Sequence, residues 1–333
     1  MKVTIKDIAR EAGVSISTVS YALNKKGRIV SDKHRRIIEI ARKYNYVPNA
    51  NARSLASGLS NNIGLLLYNS AGLTSPYILK CISTLSDIIG ENYGWLALCQ
   101  LKSSAIDLQD MRRYLGNSRS DGIIVFNAQL PQEVIALLST AKTPYIVFGR
   151  EQASCSYVCC DDAAGIREGF DALYARGKHK VLFISGCAEA EMDKDVRTQA
   201  YLSCVADHDF AFCQVVGGGY SREQTAAALG AYFAGGGEVP QAIMAANDEM
   251  AYAAIHVLEE RGLLPGQDVA LIGFDDADPE HNDAIGLTSI RQPIGQMTRA
   301  CIEYIYQVVE KDESTLLQQK FAPKLIVRTG TLL

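Results

Sequence analysis

The charge of this chain is divided between two regions. The first 58 residues carry 12 Lys and Arg against 4 Asp and Glu, a net of +8, and the other 275 carry 21 against 33, a net of −12, which together give the −4 of the whole. A small basic head on a large acidic body excludes one uniform domain. It points the head at a polyanion and leaves the body for a different task. With 333 residues, 48% of them hydrophobic and 21% charged, there is room for two or three globular domains with full cores.

The opening MKVTIKD lacks an apolar signal core, and no apolar run approaches the roughly 18 residues that span a bilayer. The expectation is a cytoplasmic protein with no membrane partner. The nine cysteines are odd in number and form no CxxC pair, so they read as reduced thiols, and no metal or cofactor is expected.

The head reads as helix, turn, helix, loop, helix. Thr4 is an N-cap, Asp7 falls in the first turn, and Ile5, Ile8, Ala9 and Ala12 recur at helical spacing up to Gly13. Only Val14 separates Gly13 from a second cap, Ser15, so the helix from Ile16 to about Leu23 must turn sharply away. Val19, Ala22 and Leu23 face inward, and Ile16, Ser17, Ser20 and Tyr21 face outward. A Lys25-Lys26-Gly27-Arg28 loop follows, then Ser31 caps a third helix whose Ile37, Ile40, Ala41 and Tyr44 complete the core. Two short helices with so tight a turn and a supporting third match the helix-turn-helix, whose second helix enters the major groove.

After Pro48 comes ANARSLAS, residues 50–57, a helix-forming stretch stopped by Gly58. It is shorter than the roughly 12–15 residues at which an isolated helix becomes marginal in water, so it should form only against a partner. Leu55 is its sole large apolar side chain.

The strings TIKDIAREAGVSISTVSYALN, IVSDKHRRIIEIA and YVPNANARSLASG, spanning nearly all of residues 4–58, resemble the DNA-binding head and hinge of the lactose/galactose repressor family of bacterial transcription regulators. The resemblance implies that Ile16, Ser17 and Tyr21 occupy base-reading positions, and that Ser15, Thr18, Ser20, Asn24, Ser31 and Arg35 sit where phosphate contacts fall. Thr4 joins this DNA-facing set. Leu55 matches the hinge leucine that wedges into the minor groove, with Ala52 and Arg53 beside it. Two positions depart from the pattern: Tyr21 stands where an arginine able to pair with guanine is common, and His34 replaces a common threonine. If the hinge assignment holds, Leu55→Ser weakens operator binding and reduces the bend in a gel-phasing assay while ligand affinity stays unchanged. A variant that binds and bends operator like the parent would sink it.

The body alternates apolar strand-like runs with amphipathic helices. Residues 63–68, 95–99, 122–126 and 145–148 form one series of strands, and 181–185, 213–216, 242–246 and 269–274 a second. The fold class is therefore α/β, two parallel-sheet lobes behind the helical head, with ligands expected beyond the carboxyl ends of the strands. SPYILKCI, SDGIIVF, DVRTQAY, AANDEMAYA, VALIGFDDA and TSIRQPI carry a resemblance to the periplasmic-binding-protein-like effector domain of the same family. It implies a helix-turn-helix domain at 1–48, a hinge and linker at 49–60, and a ligand-binding and dimerisation domain at 61–333. One lobe of that domain comprises about 61–160 and 291–322, the other about 161–290 and 323–333. It also implies that Arg197, Asn247 and Asp275 bind the ligand, with Tyr220 stacking on it and Tyr77 and Asp161 as wall residues. Carboxylate, amide and guanidinium groups suit the hydroxyls of a polyol, and a flat ring suits its carbon face. Read without the resemblance, Asp275 caps the loop after its strand, Asn247 caps the helix starting at Asp248 and Arg197 is a helix-surface charge. Gly149, where an aspartate is often found, and Gly177-Lys178-His179 depart from the family pattern.

No GxSxG, HExxH, GxxxxGK[ST] or strand-following GxGxxG occurs, and the acidic stretch DDADPEHNDA fits no metal motif, so an enzyme is not expected. A periplasmic solute receptor would have no use for the basic head. The expected function is a ligand-responsive regulator that represses transcription from a double-stranded, pseudo-palindromic operator as a homodimer. Its effector is a sugar or, alternatively, a purine or nucleoside corepressor.

Overall fold

The computed structural model describes residues 3–24, 32–46, 60, 62–68, 75–91, 94–101, 106–117, 120–187, 189–208, 212–311 and 315–332. The chain divides into two compact units, Met1–Asn61 and Asn62–Leu333.

The first unit holds α1 (Ile5–Ala12), α2 (Ile16–Asn24) and α3 (Asp32–Lys43). The Asp7 carboxylate accepts hydrogen bonds from the backbone N–H and hydroxyl of Thr4, at 3.0 and 2.7 Å, which fixes the start of α1. Gly13 ends it in the left-handed conformation, φ 68°, which a side chain would resist. Ser15 Oγ then accepts from the Thr18 N–H at 3.1 Å and starts α2. Ile8, Ala9, Val19, Ala22, Ile37 and Ile40 form the core. One sequence expectation fails here. Tyr44 is 38% exposed rather than buried, with the Lys43 ammonium 4.9 Å from its ring centre. The half-buried Tyr46 packs on the core in its stead.

The second unit contains two six-stranded sheets. The first has the order β2–β1–β3–β4–β5–β11, from β1 (Asn62–Tyr68), β2 (Trp95–Leu101), β3 (Gly122–Phe126), β4 (Tyr145–Phe148), β5 (Tyr157–Cys160) and β11 (Gln318–Phe321), all parallel. The second has the order β7–β6–β8–β9–β10–β12, from β6 (Val181–Ser185), β7 (Cys213–Gly217), β8 (Ala242–Ala245), β9 (Ala270–Asp275), β10 (Thr288–Arg291) and β12 (Lys324–Ile326). Only β12 runs antiparallel to its neighbour. Helices pack on these sheets: α4 (Pro76–Glu91), α5 (Leu108–Asn117), α6 (Gln132–Ala141), α7 (Asp162–Tyr174), α8 (Val196–Asp207), α9 (Arg222–Ala234), α10 (Asp248–Glu260), α11 (Pro279–Ile285) and α12 (Ile294–Lys311). A short 3₁₀ turn spans Glu189–Lys194.

Each order is doubly wound. The strand order reverses between β1 and β3 in one sheet and between β6 and β8 in the other, and such switch points open crevices at the carboxyl ends of the strands. The chain leaves the first sheet after β5, returns through α12 and crosses again between β11 and β12. Gly122 in β3 marks the close packing of α12, because a Cβ there would drive into the Ile305 side chain. All nine cysteines are free thiols. Among the described residues no helix is long and apolar enough to cross a membrane.

Candidate DNA-reading face and effector cleft

In the head, the α2 positions separate by burial as their period requires. Val19 and Ala22 are buried, while Ile16 is 44% and Tyr21 51% exposed, with Ser17 also exposed on that side. Ser15 Oγ lies 2.7 Å from Ser17 Oγ and 2.8 Å from Thr18 Oγ1, a hydroxyl cluster at the start of the helix. Ser20 is half-buried, and Thr4 and Arg35 are exposed. Arg35 stands 3.7 Å from Asp32. The Tyr21 and His34 rings lie together, centres 5.7 Å apart. Asn24 ends α2. Ser31, Ala52, Arg53 and Leu55 lie outside the described residues.

In the body, three strand ends converge on one charge cluster. Asp195 accepts from the Thr198 N–H at 2.9 Å and so starts α8, which brings Arg197 into its first turn and into the interior. Arg197 Nε donates to Asp162 Oδ2 at 2.9 Å, and one of its terminal N–H groups donates to the Ala246 carbonyl at the end of β8. Asp275 Oδ1 lies 3.7 Å from Arg197 Nη1, and the guanidinium carbon sits 3.7 Å over the centre of the Phe274 ring. Burial works against the Arg197 charge, but Asp162, Tyr220 and Asp275 hold it firmly protonated.

Asp275 is strained and desolvated together. Its φ is 109° and that of Asp276 is 45°, in a region that non-glycine residues seldom enter. Burial raises the Asp275 carboxyl to about 7, although Arg197 and a hydrogen bond from Gln292 oppose the shift. That bond, Gln292 Nε2 to Asp275 Oδ1, measures 2.7 Å. Behind it Asp248 is raised to about 8 by burial and by the Asp275 charge. Its carboxylate accepts from Ser289 Oγ at 2.5 Å, from Asn282 Nδ2 at 3.0 Å and from the Asp276 N–H at 2.9 Å. Asp276 is held in turn by Arg291 and Arg328, at 2.6 and 3.0 Å.

The six expected ligand residues do not all behave alike. Arg197 and Asp275 come together. Asn247 is buried at the end of β8, but its Oδ1 caps α10 by accepting from the Met250 N–H at 2.9 Å. Asp161 caps α7, accepting from Ala164 N–H at 3.1 Å, and its neighbour Asp162 reaches Arg197 instead. Tyr220, φ 53° and 47% exposed, sets the hydroxyl end of its ring against Gly186 after β6, where a Cβ would collide with it. Tyr77, its phenol raised by burial, stands 6.2 Å from the Phe126 ring, which stacks on Phe148 at 5.4 Å. A cavity of about 10 Å³, room for roughly one water, lies between Ser75, Pro76 and Tyr77 on one side and Asp248, Glu249, Tyr252, Asp275, Ala277 and Asp278 on the other. The two lobes therefore meet closely at this point.

Three further residues at the cleft are not among the six ligand residues expected from the sequence. Asp162 and Gln292 sit at lobe crossings, and for Gln292 a signal existed in the TSIRQPI string. Asn127 follows β3 with φ 47°, next to Gly149 at φ 87°. Asp162 Oδ1 is buried without a hydrogen-bond partner among the described residues.

Comparison with known proteins agrees with both units. Residues 4–49 match the bacterial regulatory proteins of the lacI family, and residues 170–331 match a periplasmic binding protein-like domain. The HTH-type transcriptional repressor PurR of Photobacterium profundum is 26% identical over 330 residues, 98% of this chain and 97% of its own. The probable HTH-type transcriptional repressor ExuR of Bacillus subtilis is 28% identical over 320 residues, 94% and 93% of the two chains. The lac repressor dimer bound to operator and an anti-inducer superposes with a TM-score of 0.80 over 100% of both chains at 21% identity. A CelR–cellobiose complex superposes at 0.69 over 98% of this chain and 99% of its own, also at 21%. With an exposed second helix in the first unit and two doubly wound lobes closing on a charge cluster in the second, the chain joins a lacI-family helix-turn-helix head to a periplasmic binding protein-like domain.

Proposed function

We propose that the protein is an effector-controlled transcriptional repressor that binds a pseudo-palindromic operator as a homodimer, in the cytoplasm where its DNA lies. One α2 covers only a few base pairs, so a second head is needed for a specific site. Relatives bearing repressor names and the fold of an operator-bound dimer support this reading. The domain limits are residues 1–48, 49–60 and 61–333. Thr4, Ser15–Thr18, Ser20, Tyr21, Asn24, Ser31 and Arg35 face the duplex, and Ala52, Arg53 and Leu55 form the hinge contact.

The observation that carries the effector site is the Arg197–Asp162–Asp275 cluster at the carboxyl ends of the second sheet, facing Tyr77 across the cleft. The ligand-binding set is Arg197, Asp275, Asn247, Tyr220, Tyr77 and Asp161, extended by Asp162, Gln292 and Asn127. Its carboxylates accept from hydroxyls and its aromatic rings cover a carbon face, which favours a sugar. The Arg197 guanidinium in this cluster is already faced by the Asp162 and Asp275 carboxyls, so an uncharged polyol fits better than an acidic one. A purine effector is the second reading, supported by the PurR relatives and by the partly exposed Tyr220 ring.

A thermal-shift panel of neutral sugars, uronic acids, purines and nucleosides tests this. A binding member raises the melting temperature of the parent, and Arg197→Ala and Asp275→Ala each abolish that shift. If both variants respond like the parent, the cluster is not the effector site.

A further inference from the structure

The reading helix α2, ISTVSYALN, carries no Lys, Arg, Asp or Glu. Arg or Lys paired with guanine O6 and N7 is the commonest specific major-groove contact, and this helix can supply neither. What it offers outward is apolar and aromatic: Ile16, and Tyr21 with half of its surface in solvent. Ser17 and Tyr21, four residues apart, share a helix face. Apolar side chains distinguish bases chiefly through the thymine methyl group, which lines the major groove of an A·T pair.

A lone exposed tyrosine would lose side-chain freedom on entering the groove. Tyr21 is not alone. His34, in the first turn of α3, is half-buried and sets its ring 5.7 Å from the Tyr21 ring with the planes tilted by 31°. That spacing lies within the range of favourable aromatic pairs and leaves the far edge of Tyr21 outward. The two positions at which the head departs from its family pattern are thus in contact, and they form one feature.

We infer that Tyr21 and His34 form a single reading unit, in which Tyr21 selects an A·T over a G·C pair through the thymine methyl and His34 acts as the positioning residue that holds the ring. The inference rests on the DNA-binding role of the head. Because Tyr21 makes the contact, replacing it by arginine should change the base chosen. Because His34 acts only through Tyr21, removing it should blur the choice without changing how strongly the head binds phosphates.

The test uses the full-length protein. Randomised palindromic duplexes are selected and sequenced, and the enriched duplex and its single-base variants are compared by competition with a random duplex. The parent should prefer A·T at the Tyr21-dependent position by about fivefold or more. Tyr21→Phe should keep that preference, and Tyr21→Arg should turn it to G·C. His34→Ala should reduce the preference to within about twofold, with random-duplex affinity and its salt slope unchanged. A parent that selects G·C there, or a His34→Ala variant that weakens every duplex by the same factor, overturns the reading unit and leaves the repressor intact. Absence of binding even to random duplex at low salt would overturn the DNA-binding role and this inference with it.

Discussion

Affinity for duplex DNA falls on the order of a thousandfold when salt rises from about 50 to about 200 mM, as for a protein that neutralises six or more phosphates. The cause is the division of charge between head and body. Each head carries a net of +8, a dimer presents two of them, and the body carries −12 and repels the duplex. Counterions displaced by Lys and Arg make log affinity linear in log salt, and the effect is independent of sequence, so a random duplex suffices for the measurement. Fluorescence anisotropy across a salt series reads it directly. A slope near zero contradicts a basic head that works on DNA. The fragment 62–333, which lacks the head, should give no signal at any salt concentration.

Asp275→Asn stabilises the unliganded protein at pH 8 and abolishes its effector response. The folded carboxyl ionises at about 7 against an ordinary 3.8, and burial is the main cause. A raised value means that the folded state binds this proton more tightly than the unfolded chain does. Its contribution to stability is therefore full below about pH 4 and is lost as the pH rises through 7. At 1.36 kcal/mol per unit, the ionised carboxylate costs the fold up to about 4 kcal/mol at pH 8. The amide cannot ionise and escapes that cost. Thermal melts should show Asp275→Asn several degrees above the parent at pH 8, with the gap closing towards pH 4. Equal melting at pH 8 would mean that Asp275 ionises freely in the fold. The parent keeps a strained, costly acid at the cleft, the trade expected of a residue retained for binding rather than for stability.

Much of this architecture is legible in the amino-acid sequence. The head is legible because Gly13, Val14 and Ser15 leave no other way to join two helices, and because Val19 and Ala22 recur at helical spacing. Eight of the strands are legible as apolar runs. Strands β5, β10, β11 and β12 are not, because YVCC, TSIR, QQKF and KLI are short, the last three partly polar, and β11 and β12 pair with partners far away in the chain. Tyr44 misleads because periodicity carries the helix one residue too far: α3 ends at Lys43, and the Tyr44 ring lies under that lysine instead of facing the core. At the cleft, Arg197 and Asp275 can be named from motif. The choice between Asp161 and Asp162 cannot, since it depends on which of two adjacent acids caps α7 and which begins its first turn. The position of Gln292 follows only from β10 running beside β9.

The three passages of the chain between the lobes converge near this cluster. The Asp161 N–H donates to the Phe321 carbonyl at 2.9 Å, tying the first passage to the third, and the Gln292 N–H donates to the Asp275 carbonyl at 3.2 Å, tying the second to the strained strand end. Asp162 and Gln292 thus belong at once to the connecting straps and to the groups that grip Arg197 and Asp275. On the proposed effector site, the residues that strap the lobes together are the same ones that would meet the ligand. No separate relay would then be needed, because a molecule that reordered these few hydrogen bonds would pull directly on the straps.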